Sequence, residues 1–280
     1  MGFIDAHVHV WTDDTATYPF AAPHVGTEKV PVTFFPEDIL GHAGPCGVDR
    51  VVLVQMSYYA ADNRYMLQVM KDHPGVFGGI GIVDWTGASP GDDMKQLADE
   101  GVYGFRVYAR DESVDMWCDG PGFTSMFATG TDRRLAICPL IGPDGLPALA
   151  RRCEQFPETP VIIDHLCRIG AGAPVNDSDV DALCRMARYE NVMVKVSAFY
   201  ALGATTPPYH DLSHLIRRVV EAFGPERLMW ASDAPYQVQG EHTYAASVVL
   251  IEEGLDFLGT TDREQILRGT AEGFFFRPPG

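Results

Sequence analysis

Short apolar runs rich in β-branched residues alternate with helical patterns along most of the chain. The runs predict eight strands, at residues 3–10, 50–55, 76–83, 102–108, 135–141, 160–166, 192–197 and 227–233. Between them apolar residues recur at helical spacing, as at Leu215, Ile216, Val219 and Phe223. This alternation is typical of βα units around a parallel sheet.

The number of strands and the chain length together indicate one closed barrel. Eight units in 280 residues predict a (β/α)8 TIM barrel that forms a single domain over residues 1–280. Three segments without a helical period, 11–36, 110–132 and 203–209, each follow a predicted strand. Because barrel enzymes build their active sites on the loops that follow strands, the catalytic face is expected there.

The excess of acidic residues limits the kinds of partner that the protein can bind. The chain carries 38 Asp and Glu against 21 Lys and Arg, a formal net charge of -17, which disfavours nucleic acid and anionic membranes as partners. No run reaches the ~18 apolar residues of a membrane span. The six cysteines form no CxxC pair and the first residues lack a signal-peptide pattern, so reduced thiols in a cytoplasmic protein are expected. Homo-oligomerisation is left open.

The HVH segment near the amino terminus is the strongest chemical signal. His7 and His9 are two residues apart on the first predicted strand, so both imidazoles should point to the same face and share one metal ion or one carbonyl group. Asp5 is expected on that face one pleat deeper, where it could orient a histidine. An HxH pair alone is weak, and its position at a strand end strengthens it.

Two further polar residues end predicted strands. His165 closes the sixth strand in DHLCRIG, and Asp233 closes the eighth in WASDAPY. Each has an ordinary alternative, since a histidine can simply satisfy a carbonyl group and an aspartate can cap a helix or a turn. All four residues converge on one barrel mouth, which favours a functional site.

Strand parity also predicts substrate contacts. The expected residues are Gln55, Arg106, Tyr108, Lys195 and Ser197 on strands, and Arg168 on the loop after strand six. Arg106 and Arg168 can clamp a carboxylate of a small-molecule substrate, because arginine offers bidentate geometry. A buried Lys195 needs a carboxylate partner, and a structural pair with Asp233 stays open beside substrate binding.

At these residues the chain resembles the amidohydrolase superfamily, in its amidohydrolase-related branch of sugar-acid and pyrone-dicarboxylate lactonases. The resemblance runs from IDAHVHVW through VVLVQ, ADNR, GFRVY, VIIDHLCRIG and VMVKVS to WASDAPY. It implies metal-site positions at His7, His9, His165 and Asp233, with Asp233 and His165 catalytic. It also implies hydrolysis of a small lactone by a water molecule that Asp233 activates.

The cofactor stays open within that resemblance. The fourth strand, GFRVY, lacks the lysine that bridges two metals in some relatives, which argues against a binuclear centre. One zinc or manganese ion at the histidines would lower the pKa of water toward ~7. Some lactonases of this branch need no metal, and the histidines would then donate hydrogen bonds to the lactone carbonyl.

Other functions remain open as alternatives to lactone hydrolysis. A metal-dependent decarboxylase of an unsaturated acid would be expected to have another histidine on a late strand, where this chain has Lys195. A sugar-lactone isomerase and a barrel that binds lactones without turnover are the remaining alternatives. A serine hydrolase is disfavoured because the chain has no G-x-S-x-G segment, and no phosphate-binding glycine motif opens a helix.

Overall fold

The computed structural model describes residues 2–108 and 117–277 and contains one sheet of eight parallel strands. The strands are β1 (Phe3–Val8), β2 (Val48–Val54), β3 (Phe77–Gly81), β4 (Val102–Tyr108), β5 (Ala136–Leu140), β6 (Val161–Ile163), β7 (Val192–Ser197) and β8 (Leu228–Ala231). Each strand pairs with the next in sequence. The last meets the first where Val8 bridges Ala234 and the Asp233 amide donates to the His7 carbonyl at 2.9 Å. The predicted (β/α)8 barrel is confirmed.

Helices follow the strands on the outside of this barrel. Within the described residues they are α1 (Pro36–Ala43), α2 (Arg64–Asp72), α3 (Pro90–Asp99), α4 (Pro121–Arg133), α5 (Leu146–Gln155), α6 (Asp177–Arg185), α7 (Ser213–Phe223), α8 (Tyr244–Val249), α9 (Thr260–Glu264) and α10 (Thr270–Phe275). Single π-helical turns extend α8 and join α9 to α10. None of the helices in this described part of the chain has the length and hydropathy that crossing a membrane requires.

Two apolar layers hold the barrel together. Side chains that alternate along the strands fill the interior, where Ile4, Val52, Ile80, Ile162 and Met229 are in one buried cluster. Phe274 and Phe275 of α10 join that cluster. The other strand face packs against the helices in a second and larger cluster. This division is the usual one for a barrel whose interior is a packed core rather than a pore.

Five strands are shorter than predicted, and in three of them, β1, β6 and β8, the difference falls at the site. β1 ends at Val8, β6 at Ile163 and β8 at Ala231, so His165 and Asp233 lie two residues beyond their strands. Both have left-handed backbone conformations, with φ 53° at His165 and φ 65° at Asp233. Non-glycine residues adopt this region rarely, and it is often found at functional sites.

An irregularity in β1 overturns the prediction for Asp5. Asp5 pairs with Val51 and Val8 with Leu53, so three steps along β1 match two along β2. The extra residue reverses the alternation of side chains. Ala6 therefore faces the interior cluster and Val8 the outer one, and Asp5 contacts the outer layer rather than sharing the face of His7 and His9.

The segment 110–132, expected to lack a helical period, is helical in its second half. Helix α4 begins at Pro121 and buries Phe123, Met126 and Phe127. Its small residues hide the period in the sequence and serve packing, since a Cβ at Gly122 would lie 1.7 Å from the Trp85 carbonyl oxygen. Residues 109–116 of the predicted loop lie outside the described residues.

Candidate active site

A cavity of about 320 Å³ opens at the carboxyl ends of the strands. It is lined by His9, Met56, Ser57, Arg106, Leu140, His165, Arg168, Ala171, Ala198, Tyr200, Ala201, Leu202, Asp233 and Tyr236. A larger groove of about 880 Å³ borders Phe77, Tyr103 and Arg277. That groove contains none of the predicted site residues, so the smaller cavity is the candidate active site.

Three ligand atoms meet at the floor of this cavity. Nε2 of His7 and Nε2 of His9 are 3.2 Å apart, and each is 3.5 Å from Oδ1 of Asp233. Oδ1 of Asp233 is buried and accepts no hydrogen bond from the described residues. Burial raises the pKa of Asp233, but His165, His9 and His7 outweigh it and hold that pKa below its usual value. The carboxylate is thus ionised, with one oxygen free.

The hydrogen-bond partners fix which nitrogens carry protons. Nδ1 of His9 is 2.8 Å from the Val54 carbonyl oxygen, which can only accept, so Nδ1 carries the hydrogen. Nε2 of His9 acts as an acceptor. It lies 3.3 Å from Nη1 of Arg106, which can only donate. Nε2 of His9 therefore has no hydrogen to donate toward the cavity.

The proton on His7 follows from that of His9. Since Nε2 of His9 accepts, the contact between the two rings requires a hydrogen on Nε2 of His7. Nδ1 of His7 then accepts from Nζ of Lys195 at 3.1 Å. Burial, followed by the charge of Lys195, keeps the pKa of His7 well below its usual value, so the ring is neutral.

Asp164 forms the centre of the charged groups beneath the cavity. Its carboxylate lies 3.0 Å from Nζ of Lys195, 3.4 Å from Nδ1 of His7 and 3.5 Å from Nε of Arg106. Burial would raise the pKa of Asp164, but Lys195, His7 and Arg106 hold it well below its usual value. The open alternative for Lys195 is thereby resolved structurally: its salt bridge is with Asp164.

His165 is fixed by Ser197 of β7. Nδ1 of His165 is 2.9 Å from Oγ of Ser197, which in turn donates to the Lys195 carbonyl oxygen at 3.4 Å. The ring packs against His7 with centroids 4.5 Å apart, and its Nε2 is 3.8 Å from Oδ2 of Asp233. Burial lowers the pKa of His165 to about 4. His165 therefore faces Asp233 as a neutral ring.

Tyr200, in the loop after β7, holds the other oxygen of Asp233. Its hydroxyl donates to Oδ2 at 2.7 Å, and its ring lies beside those of Tyr236 and His242. Burial, then the charge of Asp233, raises the pKa of Tyr200, so the hydroxyl stays protonated. The two oxygens of Asp233 consequently have different surroundings, with Oδ2 bonded and Oδ1 free.

Asp5 supports the site from the outer layer. Its Oδ1 accepts from the backbone amides of His7 and Ser232, and its Oδ2 from the hydroxyls of Ser232 and Tyr244. Burial raises the pKa of Asp5 to about 6, although these hydrogen bonds oppose the rise. The carboxylate ties β1 to the turn that carries Asp233.

The structure brings together most, though not all, of the predicted residues. His7, His9, His165, Asp233 and Arg106 surround one point, and Arg168 lies exposed at the cavity rim. Lys195 and Ser197 are completely buried beneath the cavity and do not line it. Gln55 donates instead to the carbonyl oxygen of Asp62, and Tyr108 packs against Trp85.

Two functional candidates escaped prediction. Asp164 was visible as the charged residue between an apolar strand and His165, but strand alternation placed it on the opposite face from His165. Tyr200 follows β7 by three residues, in a loop whose Ala198 has φ 57°. Sequence periodicity carries no information on such a turn.

The residues on the cavity floor fit a single divalent cation. A zinc ion with tetrahedral nitrogen and oxygen ligands at ~2.1 Å separates those ligands by roughly 3.4 Å. The separations among Nε2 of His7, Nε2 of His9 and Oδ1 of Asp233 match this value, and the free Oδ1 provides an anionic ligand. A second group joins His7, Asp164 and His165, but Lys195 is in contact with two of its members.

Binding through the first group requires a change at His7. Its Nε2 must give up the hydrogen, and Nδ1 must take one. Asp164, whose Oδ1 is 3.4 Å from Nδ1, is placed to accept a hydrogen bond from that nitrogen.

The fold and the buried cluster define a (β/α)8 barrel with a histidine and aspartate centre at the carboxyl ends of its strands. Residues 4–277 match the Amidohydrolase family, and the chain belongs to it. The chain is 29% identical to an L-fucono-1,5-lactonase of Burkholderia ambifaria, over 99% of this chain and 97% of that enzyme. It is also 29% identical to a 2-pyrone-4,6-dicarboxylate hydrolase of Comamonas testosteroni, with coverages of 86% and 79%.

Solved structures share the fold. A Pseudomonas putida protein aligns with a TM-score of 0.82 and 23% identity over 98% of this chain and 97% of its own. An amidohydrolase from Burkholderia multivorans with bound zinc aligns with a TM-score of 0.80 and 20% identity, covering 99% of this chain and all of its own, 100%. These likenesses extend the whole length of the barrel.

Proposed function

We propose that this protein hydrolyses a small lactone with a water molecule activated by Asp233. The observation that carries the proposal is the free, buried Oδ1 of Asp233 beside Nε2 of His7 and Nε2 of His9. An ionised carboxylate oxygen without a hydrogen-bond partner, at the floor of a substrate-sized cavity, is a suitable general base. The names of the two sequence relatives support a lactone as the substrate class.

The proton transfers follow from the two oxygens of Asp233. Oδ1 takes a proton from water as the water oxygen bonds to the lactone carbonyl carbon. The carbonyl carbon becomes tetrahedral, and its oxygen carries the negative charge as an oxyanion. When the ring C–O bond breaks, Oδ1 returns the proton to the departing alkoxide oxygen, and the product is a hydroxy acid. Tyr200 holds Oδ2 throughout, so that the carboxylate does not rotate.

One divalent ion, zinc or manganese, is proposed for the group formed by His7, His9 and Asp233, with His165 adjacent. Such an ion supplies a Lewis acid that polarises a carbonyl group and acidifies water. The bound zinc in the Burkholderia multivorans amidohydrolase favours zinc. Asp164 would orient His7 toward it.

The charges around the cavity favour an anionic substrate. Lys195, Arg106 and Arg168 outnumber the carboxylates of Asp164 and Asp233, although the whole chain is acidic at -17. Among the described residues, the positive side chains that reach the cavity are Arg106 and Arg168. A carboxylate on the substrate, or the one formed on hydrolysis, is attracted by these arginines. Gln55, Tyr108, Lys195 and Ser197 are then proposed to act by supporting the cavity walls rather than by touching substrate.

The test is hydrolysis of a lactone panel by the purified protein, before and after chelation, together with its metal content. L-Fucono-1,5-lactone and 2-pyrone-4,6-dicarboxylate are the first two substrates, and a pH indicator follows release of acid. Acid release from either one is expected. Activity lost on chelation and restored by one equivalent of zinc supports the metal version. Product formation without acid release indicates an isomerase, and no turnover of any lactone contradicts the proposal.

A cytoplasmic location is also proposed. All six cysteines are free, and four of them are buried. Free thiols are typical of a reducing compartment.

A further inference from the structure

We propose that Arg106 is the hydrogen-bond donor that stabilises the lactone oxyanion, a role the histidines would otherwise be expected to fill. The inference rests on the proposed lactone hydrolysis and assigns the protein's own donor for its transition state. A group for this role must line the cavity, carry a free N–H or O–H, and lie beside the base. Arg106 meets all three conditions.

The histidines fail the second condition. Nδ1 of His9 carries the ring hydrogen and donates it to the Val54 carbonyl oxygen, so Nε2 carries no hydrogen. His165 is in the same state, because Ser197 donates to the Lys195 carbonyl oxygen and accepts from Nδ1 of His165. With the Nδ1 hydrogens of both rings engaged in this way, neither Nε2 has a hydrogen to donate to a developing oxyanion.

Two other donors are already engaged. His7 does not line the cavity, and its Nε2 hydrogen is directed to Nε2 of His9 at 3.2 Å. The hydroxyl of Tyr200 donates to Oδ2 of Asp233 at 2.7 Å. An oxyanion that drew either hydrogen away would break a bond on which the arrangement of the base depends.

Arg106 lies near the base, and among the described residues only its Nη1 makes a hydrogen bond. Nη1 of Arg106 is 3.3 Å from Nε2 of His9, and that histidine nitrogen is in turn 3.5 Å from Oδ1 of Asp233. Arg106 and Asp233 are therefore both neighbours of Nε2 of His9. A donor and a base this close together can act on the same carbonyl group. The guanidinium group has five N–H donors and is permanently charged.

The guanidinium group is also held in place before substrate arrives. Arg106 is only 8% exposed, and its Nε lies 3.5 Å from Oδ2 of Asp164. Asp164 offsets the cost of burying the charge, and the barrel wall restricts the side chain. A fixed donor of this kind needs no reorganisation in the transition state, which is the basis of oxyanion stabilisation.

Arg168, unlike the buried Arg106, is suited to substrate binding. It is exposed at the rim of the cavity, on the loop after β6. Its exposure at the rim suits recognition of a substrate carboxylate rather than contact with the reacting carbonyl group. The two arginines thus have different roles: Arg106 stabilises the transition state, and Arg168 binds the substrate carboxylate.

The test compares kcat and KM for Arg106→Gln and Arg168→Gln on two lactones. L-Fucono-1,5-lactone has no carboxylate, and 2-pyrone-4,6-dicarboxylate has two. Arg106→Gln is expected to lower kcat about a hundred- to a thousand-fold on whichever lactone is hydrolysed, with little change in KM. Arg168→Gln is expected to raise KM for the dicarboxylate. Arg185→Gln, an exposed position on α6, is the matched control.

Two further variants separate chemistry from folding. Arg106→Lys keeps a charge beside Asp164 but loses the forked donor, and it is expected to stay folded with a reduced kcat. Added guanidinium ion is expected to restore part of the kcat of Arg106→Ala. A kcat that survives in Arg106→Gln, or a defect confined to KM for the dicarboxylate, overturns the inference alone. Absence of turnover by the wild-type protein overturns the proposed function and this inference together.

Discussion

Nζ of Lys195 lies 3.0 Å from Oδ1 of Asp164, inside the barrel and out of contact with solvent. The exposed fraction is 0% for the Lys195 side chain and 1% for that of Asp164. Two buried charges are tolerated because each compensates the other and both have further polar contacts, Lys195 with His7 and Asp164 with Arg106. Both members of the pair contact Nδ1 of His7 and so fix the position of that ring.

Asp164→Asn is expected to destabilise the protein by about 3–5 kcal/mol, because it leaves the Lys195 ammonium buried without a counter-charge. Urea unfolding at pH 7 measures the change. The double variant Asp164→Asn with Lys195→Met removes both charges and should recover much of the lost stability. A double variant as unstable as the sum of the two single variants would show that the pair does not act as one unit.

Asp233→Asn is expected to reduce kcat about a hundred- to ten-thousand-fold while KM changes little, because the amide cannot accept a proton. Steady-state kinetics on the lactone that the wild-type protein hydrolyses best provides the measurement. Asp256→Asn is the matched control, since the Asp256 side chain is 92% exposed and far from the cavity lining. Survival of activity in Asp233→Asn contradicts the assignment of the base.

Tyr200→Phe removes the hydrogen bond to Oδ2 of Asp233 and leaves the ring in place. We expect kcat to fall roughly tenfold, the kinetic equivalent of one charge-assisted hydrogen bond, with a smaller change in KM. Tyr209→Phe is the control, because the Tyr209 hydroxyl bonds to His242 and Gln237 and not to Asp233. Equal kinetic effects of the two variants would mean that Tyr200 only stabilises the loop.

Glu272 on α10 gives a pH-dependent contribution to stability. Hydrogen bonds from Arg268 and Arg50 lower its pKa from 4.5 to about 2. A carboxylate whose pKa is lower in the folded than in the unfolded state stabilises the fold at pH values above its unfolded-state pKa. That contribution is lost as the pH falls through its folded-state pKa. Glu272→Gln should therefore lower stability at pH 7 and have less effect near pH 2.

Urea unfolding of Glu272→Gln and wild type at several pH values tests this dependence. Glu264→Gln, at an exposed position on α9, serves as the control. Because the Glu272 side chain is 39% exposed, solvent screening keeps the effect small. A stability difference that stays constant between pH 7 and pH 2 would assign the role to packing rather than to charge.

Alternation along regular strands accounts for the part of the site that the sequence predicted. Arg106 on β4 and Lys195 and Ser197 on β7 face inward as parity requires, and the charge of Lys195 demanded the carboxylate partner that the structure provides. His7 and His9 were found because they are two residues apart. The eight strands were recognisable since each is a short apolar run between helices.

Parity fails where the backbone stops being a strand. The irregularity in β1 turned Asp5 to the outer layer, and the left-handed residues after β6 brought Asp164 and His165 to one centre. Gln55 stands just after the end of β2 and is drawn to the carbonyl oxygen of Asp62 by the adjoining turn. Such departures depend on tertiary contacts, and local sequence does not encode them in its periodicity.

The base stands at the seam where the first and last strands of the barrel join. His7 comes from β1, Asp233 from just beyond β8, and the two are linked through the backbone at that seam. More than two hundred residues must be synthesised between them, as the numbering shows. A chain still emerging from the ribosome therefore holds the two histidines without Asp233, and under the proposed mechanism it can act only after the barrel closes. Any protease that removes the last strand should silence the enzyme completely, leaving no partly active fragment.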